Sequence, residues 1–371
     1  MTFLLLVVGL VLLVIGAEAL VRGASRLAVG VGISPVIVGL TIVAFGTSSP
    51  ELAVSMQAAF SGESDLTVGN VVGSNIFNVL FILGISALVV PLTVAQRLIR
   101  IDVPIMVATS ALLLLLALNN SIGRLEGLLL VAGLTVYIAF AVYESVRDKR
   151  KSDPEFVEEE YEAEFGEKAS GSVPRDLLFI VGGLGLLVLG SRWLVDGATE
   201  IALDLGLSDL IVGLTIVAAG TSLPEVATSV MAAIKGERDI AVGNVVGSNI
   251  FNILAVLGLS SLLSPDQIAV SEAAVRFDLP VMTAVAIACL PVFLTGRIVR
   301  WQGALFLAYY VAYVAYLILD ASGHEAIDAY STVMLLFVLP LTALALVATF
   351  LWEMRKTRRQ SAEERLTADV H

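Results

Sequence analysis

Long apolar runs, interrupted by short polar segments, occupy most of the chain. A run of about 20 apolar residues is long enough for one transmembrane helix. Five such runs precede residue 146, five follow residue 174, and one more lies near the end of the chain. We therefore predict eleven spans, near residues 2–21, 32–58, 66–90, 102–119, 124–145, 175–196, 206–233, 240–263, 277–295, 301–319 and 332–352.

The segment 146–174 breaks this pattern because it is charged and contains Pro and Gly. We interpret it as a cytoplasmic acidic linker, in which the run from Glu155 to Glu167 is a solvated loop. The chain then divides into a first repeat (1–145), the linker, a second repeat (175–320) and a C-terminal part (321–371) that holds the extra helix and a basic tail. The predicted fold class is an all-α polytopic membrane protein.

Composition narrows the class further. Of the 371 residues, 57% are hydrophobic and 15% are charged, and the mean hydropathy is +0.92. A soluble domain carries about 25% charged residues, so this chain is depleted in charge. The chain has one cysteine, Cys289, which excludes an intramolecular disulfide, and both histidines, His324 and His371, lie outside the apolar runs. The net charge of −12 gives no indication of nucleic-acid binding.

Basic residues predict the orientation. With the N-terminus outside, 19 of the 22 Lys and Arg residues fall in cytoplasmic segments, and the C-terminus is cytoplasmic. At the end of the first span, Glu18 and Arg22 are four residues apart, and we expect an interfacial ion pair between them.

One stretch occurs twice. Residues 38–80 and 212–254 align with a shift of 174 positions, and 31 of the 43 pairs are identical. An odd number of spans in each half makes the two copies face opposite sides of the membrane. Such inverted repeats are typical of secondary transporters, whose substrate site lies between the repeats near the bilayer midplane.

Each copy places a proline and a carboxylate inside an apolar run, as GTSSPE (46–51) and GTSLPE (220–225). Pro50 lacks an N–H group and should break the helix, leaving the carbonyls from Ala44 to Thr47 without helical partners. Ser48 and Glu51 have the spacing of a capping box at the start of a new helix. An ionisable residue at membrane depth is a functional-site hypothesis, because burying it is costly.

The second half of each copy reads GNVVGSNIFN, at residues 69–78 and 243–252. Asn70, Ser74 and Asn78 are four residues apart and share one helix face, while Gly69 and Gly73 allow close helix packing. These polar residues are either hydrogen-bonding contacts between helices or a row of neutral oxygens that faces Glu51 and Glu225. Carboxylate, hydroxyl, amide and carbonyl oxygens are the ligands of Na⁺, Ca²⁺ or Mg²⁺. Two carboxylates match either one Ca²⁺ or two Na⁺, which is a physical basis for exchange.

At these residues the chain resembles the sodium/calcium exchangers of the cation/Ca²⁺ antiporter superfamily, of the prokaryotic type without regulatory domains. The resemblance implies two inverted five-helix repeats, exchange of about three Na⁺ for one Ca²⁺, and therefore electrogenic transport by alternating access, with no prosthetic group. It also implies the ligand set. Ca²⁺ would be held by Glu51, Glu225 and the carbonyls of Thr47 and Thr221, and Na⁺ also by Ala44, Ser74, Ala218 and Ser248, with Asn78 and Asn252 lining the central site.

Two features depart from some relatives. Potassium-dependent relatives carry an aspartate where this chain has Asn252, so we expect exchange that does not require K⁺. The eleventh span lies outside the usual ten. The main alternative is a Ca²⁺(cation)/H⁺ exchanger of the same superfamily; an intramembrane protease would need a Ser–His or Asp pair at membrane depth. The expected partners are Na⁺, Ca²⁺ and the lipid bilayer of the plasma membrane, with no obligatory protein partner.

Overall fold

The computed structural model describes residues 2–31, 33–149, 173–204, 218–322, 326–338 and 340. Helices account for nearly all of them, and four two-residue strands lie in the connections. The helices are α1 (Thr2–Val31), α2 (Pro35–Thr47), α3 (Ser49–Phe60), α4 (Ser64–Val89), α5 (Leu98–Asn119), α6 (Arg124–Lys149), α7 (Val173–Asp204), α8 (Ala218–Gly220), α9 (Leu223–Ile234), α10 (Arg238–Leu263), α11 (Ala274–Phe293), α12 (Arg300–Ala321) and α13 (Ala326–Val333). The strands are β1 (Leu92–Thr93), β2 (Ser121–Ile122), β3 (Ile268–Ala269) and β4 (Arg297–Ile298).

Within the described residues, eight helices are long and apolar enough to cross a membrane, and the bent pair α2–α3 makes a ninth span. These spans match the predicted ones, although α1 and α7 extend well beyond residues 21 and 196. Part of the predicted span 206–233, most of the linker and most of the eleventh span fall on residues outside the described ranges. The all-helical membrane fold that the apolar runs predict is confirmed.

The prolines break the repeated helices where the sequence predicts. Between α2 and α3 the chain bends by 44° at Ser48, and α3 starts with Pro50 in its first turn. In the second repeat, α9 likewise starts after Ser222 with Pro224 in its first turn. Both α4 and α10 contain a wider π turn, at Asn78–Leu83 and Asn252–Leu257. Turns of this kind often mark functional sites.

The four strands relate the two halves to each other. Strand β1, between α4 and α5, pairs with β4, between α11 and α12, so that Leu92 faces Ile298. Strand β2, between α5 and α6, pairs with β3, between α10 and α11, so that Ile122 faces Ile268. Exchanging the equivalent loops of the two repeats converts one pair into the other. Because the two pairs lie at opposite ends of the helices, the repeats are inverted with respect to each other.

Helix α10 forms the centre of the molecule. Its most apolar 18-residue window is 100% buried, whereas the corresponding window of α12 is only 6% buried. Glycines permit the close packing against α2: a Cβ at Gly247 would lie 2.6 Å from the carbonyl oxygen of Leu40.

Helices α1 and α7 pack antiparallel against each other on one side of this core. Their backbones approach at glycines, since a Cβ at Gly16 would lie 2.8 Å from the carbonyl oxygen of Gly183. Gly9 and Gly190 make the same contact one heptad away. The expected pair between Glu18 and Arg22 is wrong: Glu18 accepts a hydrogen bond from Lys235 at 2.7 Å, since α1 lies against the connection between α9 and α10.

Candidate cation-binding site

The two helix breaks bring the two membrane carboxylates together at the middle of the fold. Glu51 lies in the first turn of α3 and Glu225 in the first turn of α9. Both side chains are 0% exposed. The N-terminal end of a helix carries a partial positive charge, which favours a carboxylate at that position. The positions that the sequence predicts for both carboxylates are therefore compatible with one shared buried site.

Each carboxylate accepts a hydrogen bond from the other repeat. Ser222 donates to Oε1 of Glu51 at 3.0 Å, and Ser48 donates to Oε1 of Glu225 at 3.1 Å. The expected capping box is wrong, because Ser48 makes no side-chain cap bond at the start of α3. The hydroxyl instead satisfies a charge that would otherwise be buried without a donor, and the crossed pairs join the two repeats.

Four buried carboxylate and amide oxygens of the site have no hydrogen-bond donor among the described residues. They are Oε2 of Glu51, Oε2 of Glu225, Oδ1 of Asn78 and Oδ1 of Asn252. Buried polar atoms in folded proteins are nearly always partnered, so each exception needs an explanation. All four atoms are acceptors, and two of them belong to acidic side chains. A bare cation is the partner that satisfies several acceptor oxygens at once.

The remaining predicted side chains, two serines and two threonines, differ in their hydrogen-bond partners. The hydroxyl oxygens of Ser74 and Ser222 lie 3.1 Å apart, within hydrogen-bond distance, and the buried hydroxyl of Ser248 has no partner among the described residues. Thr47 is 0% exposed, and its hydroxyl donates to Oδ1 of Asn244 at 3.1 Å. The symmetry-related Thr221 donates to Oδ1 of Asn70 at 3.3 Å. Both threonine hydroxyls thus bind an asparagine of the opposite repeat.

The carbonyl groups at the break differ from the prediction at one position. The carbonyl of Ala44 accepts the backbone N–H of Ser48 at 3.0 Å, so the expectation that it lacks a helical partner is wrong. Helix α2 continues through Thr47 before the bend, which keeps that hydrogen bond. The second lone pair of the Ala44 carbonyl remains a potential ligand. The side chain of Ala218 lies outside what the structure describes, although its backbone starts α8.

A second layer of polar residues supports the site; the sequence predicted Asn70 as a possible contact between helices, but not its partner Ser55 or the other residues of this layer. Asn70 donates to Ser55 at 2.8 Å, and Asn244 donates to Ser229 at 2.9 Å, which holds α4 against α3 and α10 against α9. A further asparagine in each repeat, Asn75 or Asn249, bonds across the repeat interface. The available signal was their identity in both copies, since each pair is separated by the same shift of 174 residues.

The two ends of α1 and α7 are not equivalent. On one face of the molecule, Ser25 of α1 donates to Glu237 in the connection between α9 and α10. The symmetry-related pair on the other face is Thr199 of α7 and Glu63, between α3 and α4. Oγ1 of Thr199 has no partner among the described residues, and Glu63 is exposed. Among the described residues, the hydrogen bond between Ser25 and Glu237 therefore has no symmetry-related counterpart.

A cleft of about 380 Å³ lies beside α7. It runs between α7 and the break of α2 and α3. The residues that line it are Gly46, Ser49, Leu184, Gly185, Val188, Leu189 and Arg192. The cleft touches the helix break at Gly46 and Ser49, on either side of Thr47 and Ser48, and neither carboxylate is among its lining residues.

Comparisons with known proteins show the family that this chain is similar to. A family profile described as "Sodium/calcium exchanger protein" matches residues 1–143 and 176–319. A putative antiporter CaxA of Alkalimonas amylolytica is 41% identical over 276 residues, which cover 73% of this chain and 84% of that protein. The sodium/calcium exchanger MaX1 of Methanosarcina acetivorans is 35% identical over 305 residues, covering 74% of this chain and 87% of that protein.

A solved structure shares the fold. The sodium-calcium exchanger NCX_Mj, in crystals soaked with zero Na⁺ and Ca²⁺, superposes with a TM-score of 0.72. Its sequence identity is 29%, and the match covers 85% of this chain and 98% of that chain.

Proposed function

This chain belongs to the sodium/calcium exchanger family, and on that premise we propose that it exchanges Na⁺ for Ca²⁺ across the plasma membrane by alternating access. Family membership makes the chain a multi-pass cation/Ca²⁺ antiporter and not an enzyme. The coupling ion, the ligand residues and the direction of the termini belong to the proposal.

One observation carries the proposal: the four buried acceptor oxygens of Glu51, Glu225, Asn78 and Asn252, to which both repeats contribute equally. Two ionised carboxylates supply a charge of −2, which one Ca²⁺ or two Na⁺ neutralise. The two loads therefore compete for the same oxygens, and competition at one site is the requirement for exchange. Thr47, Thr221, Ser74, Ser248 and the backbone at Ala44 and Ala218 complete the proposed ligand set.

Access to this site would alternate through α1 and α7. Ser25 and Glu18 of α1 hold the connection between α9 and α10 on one face, through Glu237 and Lys235. On the other face, Oγ1 of the symmetry-related Thr199 has no partner among the described residues. Moving α1 and α7 together along the core would exchange the two arrangements, since the same residues recur in inverted order. Such rigid-body alternation around a fixed site is the usual behaviour of inverted-repeat transporters.

We propose that the N-terminus is outside and the C-terminus is cytoplasmic. On the face of β1 and β4, the connections and adjoining helix ends carry six basic residues, Arg97, Arg100, Lys235, Arg238, Arg297 and Arg300. Short cytoplasmic loops are enriched in Lys and Arg, which favours this face as the cytoplasmic one. The cleft along α7 would then open to the outside.

The test is ⁴⁵Ca²⁺ uptake into Na⁺-loaded proteoliposomes at a fixed, equal pH on both sides. An outward Na⁺ gradient should drive Ca²⁺ accumulation, and equal Na⁺ on both sides should abolish it. Setting the membrane potential with an ionophore should change the rate if about three Na⁺ exchange for one Ca²⁺. Uptake that follows a pH gradient and ignores Na⁺ would favour the H⁺-coupled alternative and contradict the proposal.

A further inference from the structure

Asn75 and Asn249 form a reciprocal pair across the interface between the repeats. The side-chain amide of Asn75 donates to the backbone carbonyl oxygen of Asn249 at 3.2 Å, and the side-chain amide of Asn249 donates to the backbone carbonyl oxygen of Asn75 at 3.3 Å. Their exposed fractions are 1% and 3%. Neither residue was expected from the sequence to have a role in cation binding, and neither offers an unpartnered oxygen to the site.

Each member of this pair also orients an asparagine of the proposed site. Nδ2 of Asn78 donates to Oδ1 of Asn249 at 3.0 Å, and Nδ2 of Asn252 donates to Oδ1 of Asn75 at 3.1 Å. A side-chain amide has one oxygen and one nitrogen, so a bond that fixes the nitrogen also fixes the direction of the oxygen. This bond leaves Oδ1 of Asn78 and Oδ1 of Asn252 as the unpartnered acceptors of the site.

Two methionines complete the arrangement. Nδ2 of Asn249 lies 3.5 Å from Sδ of Met106 on α5, and Nδ2 of Asn75 lies 3.6 Å from Sδ of Met282 on α11. Thioether sulfur is a weak acceptor, so it suits the nitrogen and not the oxygen of the amide. Turning either amide around would set its NH₂ group against the NH₂ group of Asn78 or Asn252. The orientation of each amide in this hydrogen-bond network thus depends on the orientation of its neighbour.

We propose that Asn75 and Asn249 are positioning residues that hold the oxygens of Asn252 and Asn78 toward the transported cation. The inference rests on the proposed function only in that a cation binds between Glu51 and Glu225. Without the pair, the amides of Asn78 and Asn252 would be free to turn and present N–H donors, which repel a cation. The pair therefore sets cation affinity without contributing a ligand.

The experiment measures Ca²⁺ binding to purified protein through the Ca²⁺-dependent rise in unfolding temperature, beside ⁴⁵Ca²⁺ uptake in proteoliposomes. Asn249→Leu keeps the volume and removes the acceptor for Asn78. We expect the Ca²⁺ concentration for half-maximal binding to rise about tenfold, the scale of one net hydrogen-bonding interaction. Asn75→Leu should do the same through Asn252. Ser261→Ala is the control, since its buried hydroxyl on α10 bonds within its own helix, to Leu257.

A double-mutant cycle separates positioning from general destabilisation. Asn78→Ala alone removes the ligand oxygen. If Asn249 acts through Asn78, adding Asn249→Leu to Asn78→Ala should change Ca²⁺ affinity by less than twofold, although each single change costs about tenfold. Independent, multiplying effects of the two changes on Ca²⁺ affinity would overturn the inference.

Because Asn249→Leu removes several buried hydrogen bonds, Met106→Leu is the second variant. It leaves all four asparagines in place and removes only the sulfur that backs Asn249. A rise of about two- to threefold in half-maximal Ca²⁺ is expected for the loss of this weak bond; an unchanged value would contradict the inference. If the unmodified protein binds Ca²⁺ but shows no Na⁺-driven uptake, the proposed function fails while the binding cycle still decides the role of the pair.

Discussion

Replacing either buried carboxylate by its amide should nearly abolish Ca²⁺ transport. In Glu51→Gln, the new amide oxygen would accept the hydrogen bond from Ser222, which now reaches Oε1 at 3.0 Å. The amide nitrogen would then occupy the position of Oε2, the atom that lacks a donor. The substitution therefore removes one negative charge and also replaces a ligand oxygen by an N–H group. Glu225→Gln has the same consequence through Ser48.

The size of the effect follows from Coulomb's law. Two unit charges about 4 Å apart interact by about 4 kcal/mol at an effective dielectric constant of about 20, so a carboxylate and a divalent cation interact by about 8 kcal/mol. If the smaller desolvation cost of the amide offsets half of this, about 4 kcal/mol remains. That loss corresponds to about a thousandfold weaker binding. Transport at a Ca²⁺ concentration that saturates the unmodified protein should fall to background.

The assay is Na⁺-driven ⁴⁵Ca²⁺ uptake, with the unfolding temperature measured to confirm that each variant is folded. Glu272→Gln serves as the matched control, because Glu272 is exposed in the connection between α10 and α11. The two carboxylate variants should behave alike, since the serine-to-carboxylate hydrogen bonds of the two repeats differ in length by only 0.1 Å. Uptake at the unmodified rate in either Glu51→Gln or Glu225→Gln would refute the paired-carboxylate site.

Four further outcomes are expected. Ser222→Ala should raise the half-maximal Ca²⁺ concentration about tenfold, because it removes a hydrogen bond to a charged group; equal affinity would show that this bond does not orient Glu51. Gly16→Ala should lower the unfolding temperature and slow exchange, since its Cβ would lie 2.8 Å from a backbone oxygen of α7, whereas Gly30→Ala, with nothing within 4 Å, should be neutral or stabilising. Ca²⁺ flux should be equal in K⁺-free and K⁺-containing buffers, and Asn252→Asp should alter cation preference; a strict K⁺ requirement of the unmodified protein would contradict the interpretation of Asn252. With the C-terminus in the cytoplasm, a cysteine at position 371 should resist an impermeant thiol reagent until cells are lysed. The native Cys289 is buried and should give little background labelling; labelling in intact cells would place the C-terminus outside.

Much of the fold could be predicted because a bilayer imposes simple rules on sequence. Apolar length fixed the spans, and Pro50 and Pro224 located the breaks, since proline lacks the N–H that a continuous helix needs. The repeat then indicated inversion through an odd number of spans. The strand pairs could not be predicted, because each strand has only two residues and pairs with a loop about 150–200 positions distant.

The site was predicted in its residue types and missed in its connections. Local spacing suggested that Ser48 caps its own helix with Glu51, but its hydroxyl bonds Glu225 of the other repeat. A single sequence carries helix-periodic information about neighbours three or four residues apart, whereas the partner of Ser48 lies 177 residues away. The roles of Asn75 and Asn249 were hidden for the same reason, as both act across the repeat interface.

The pairing of every short strand with the opposite half has a consequence for biogenesis. The first repeat lacks the strands that pair with β1 and β2, and these strands lie in the second repeat. Likewise, the serine hydroxyl that donates to the carboxylate of each repeat belongs to the other repeat. Synthesis proceeds at about 5–20 residues per second, so the roughly 150 residues of the second half emerge about 8–30 s after the first half is complete. During that interval Glu51 lacks the hydroxyl of Ser222, and the first half remains an unfinished intermediate in the bilayer. Two separately expressed halves should consequently be stable only when they are produced together.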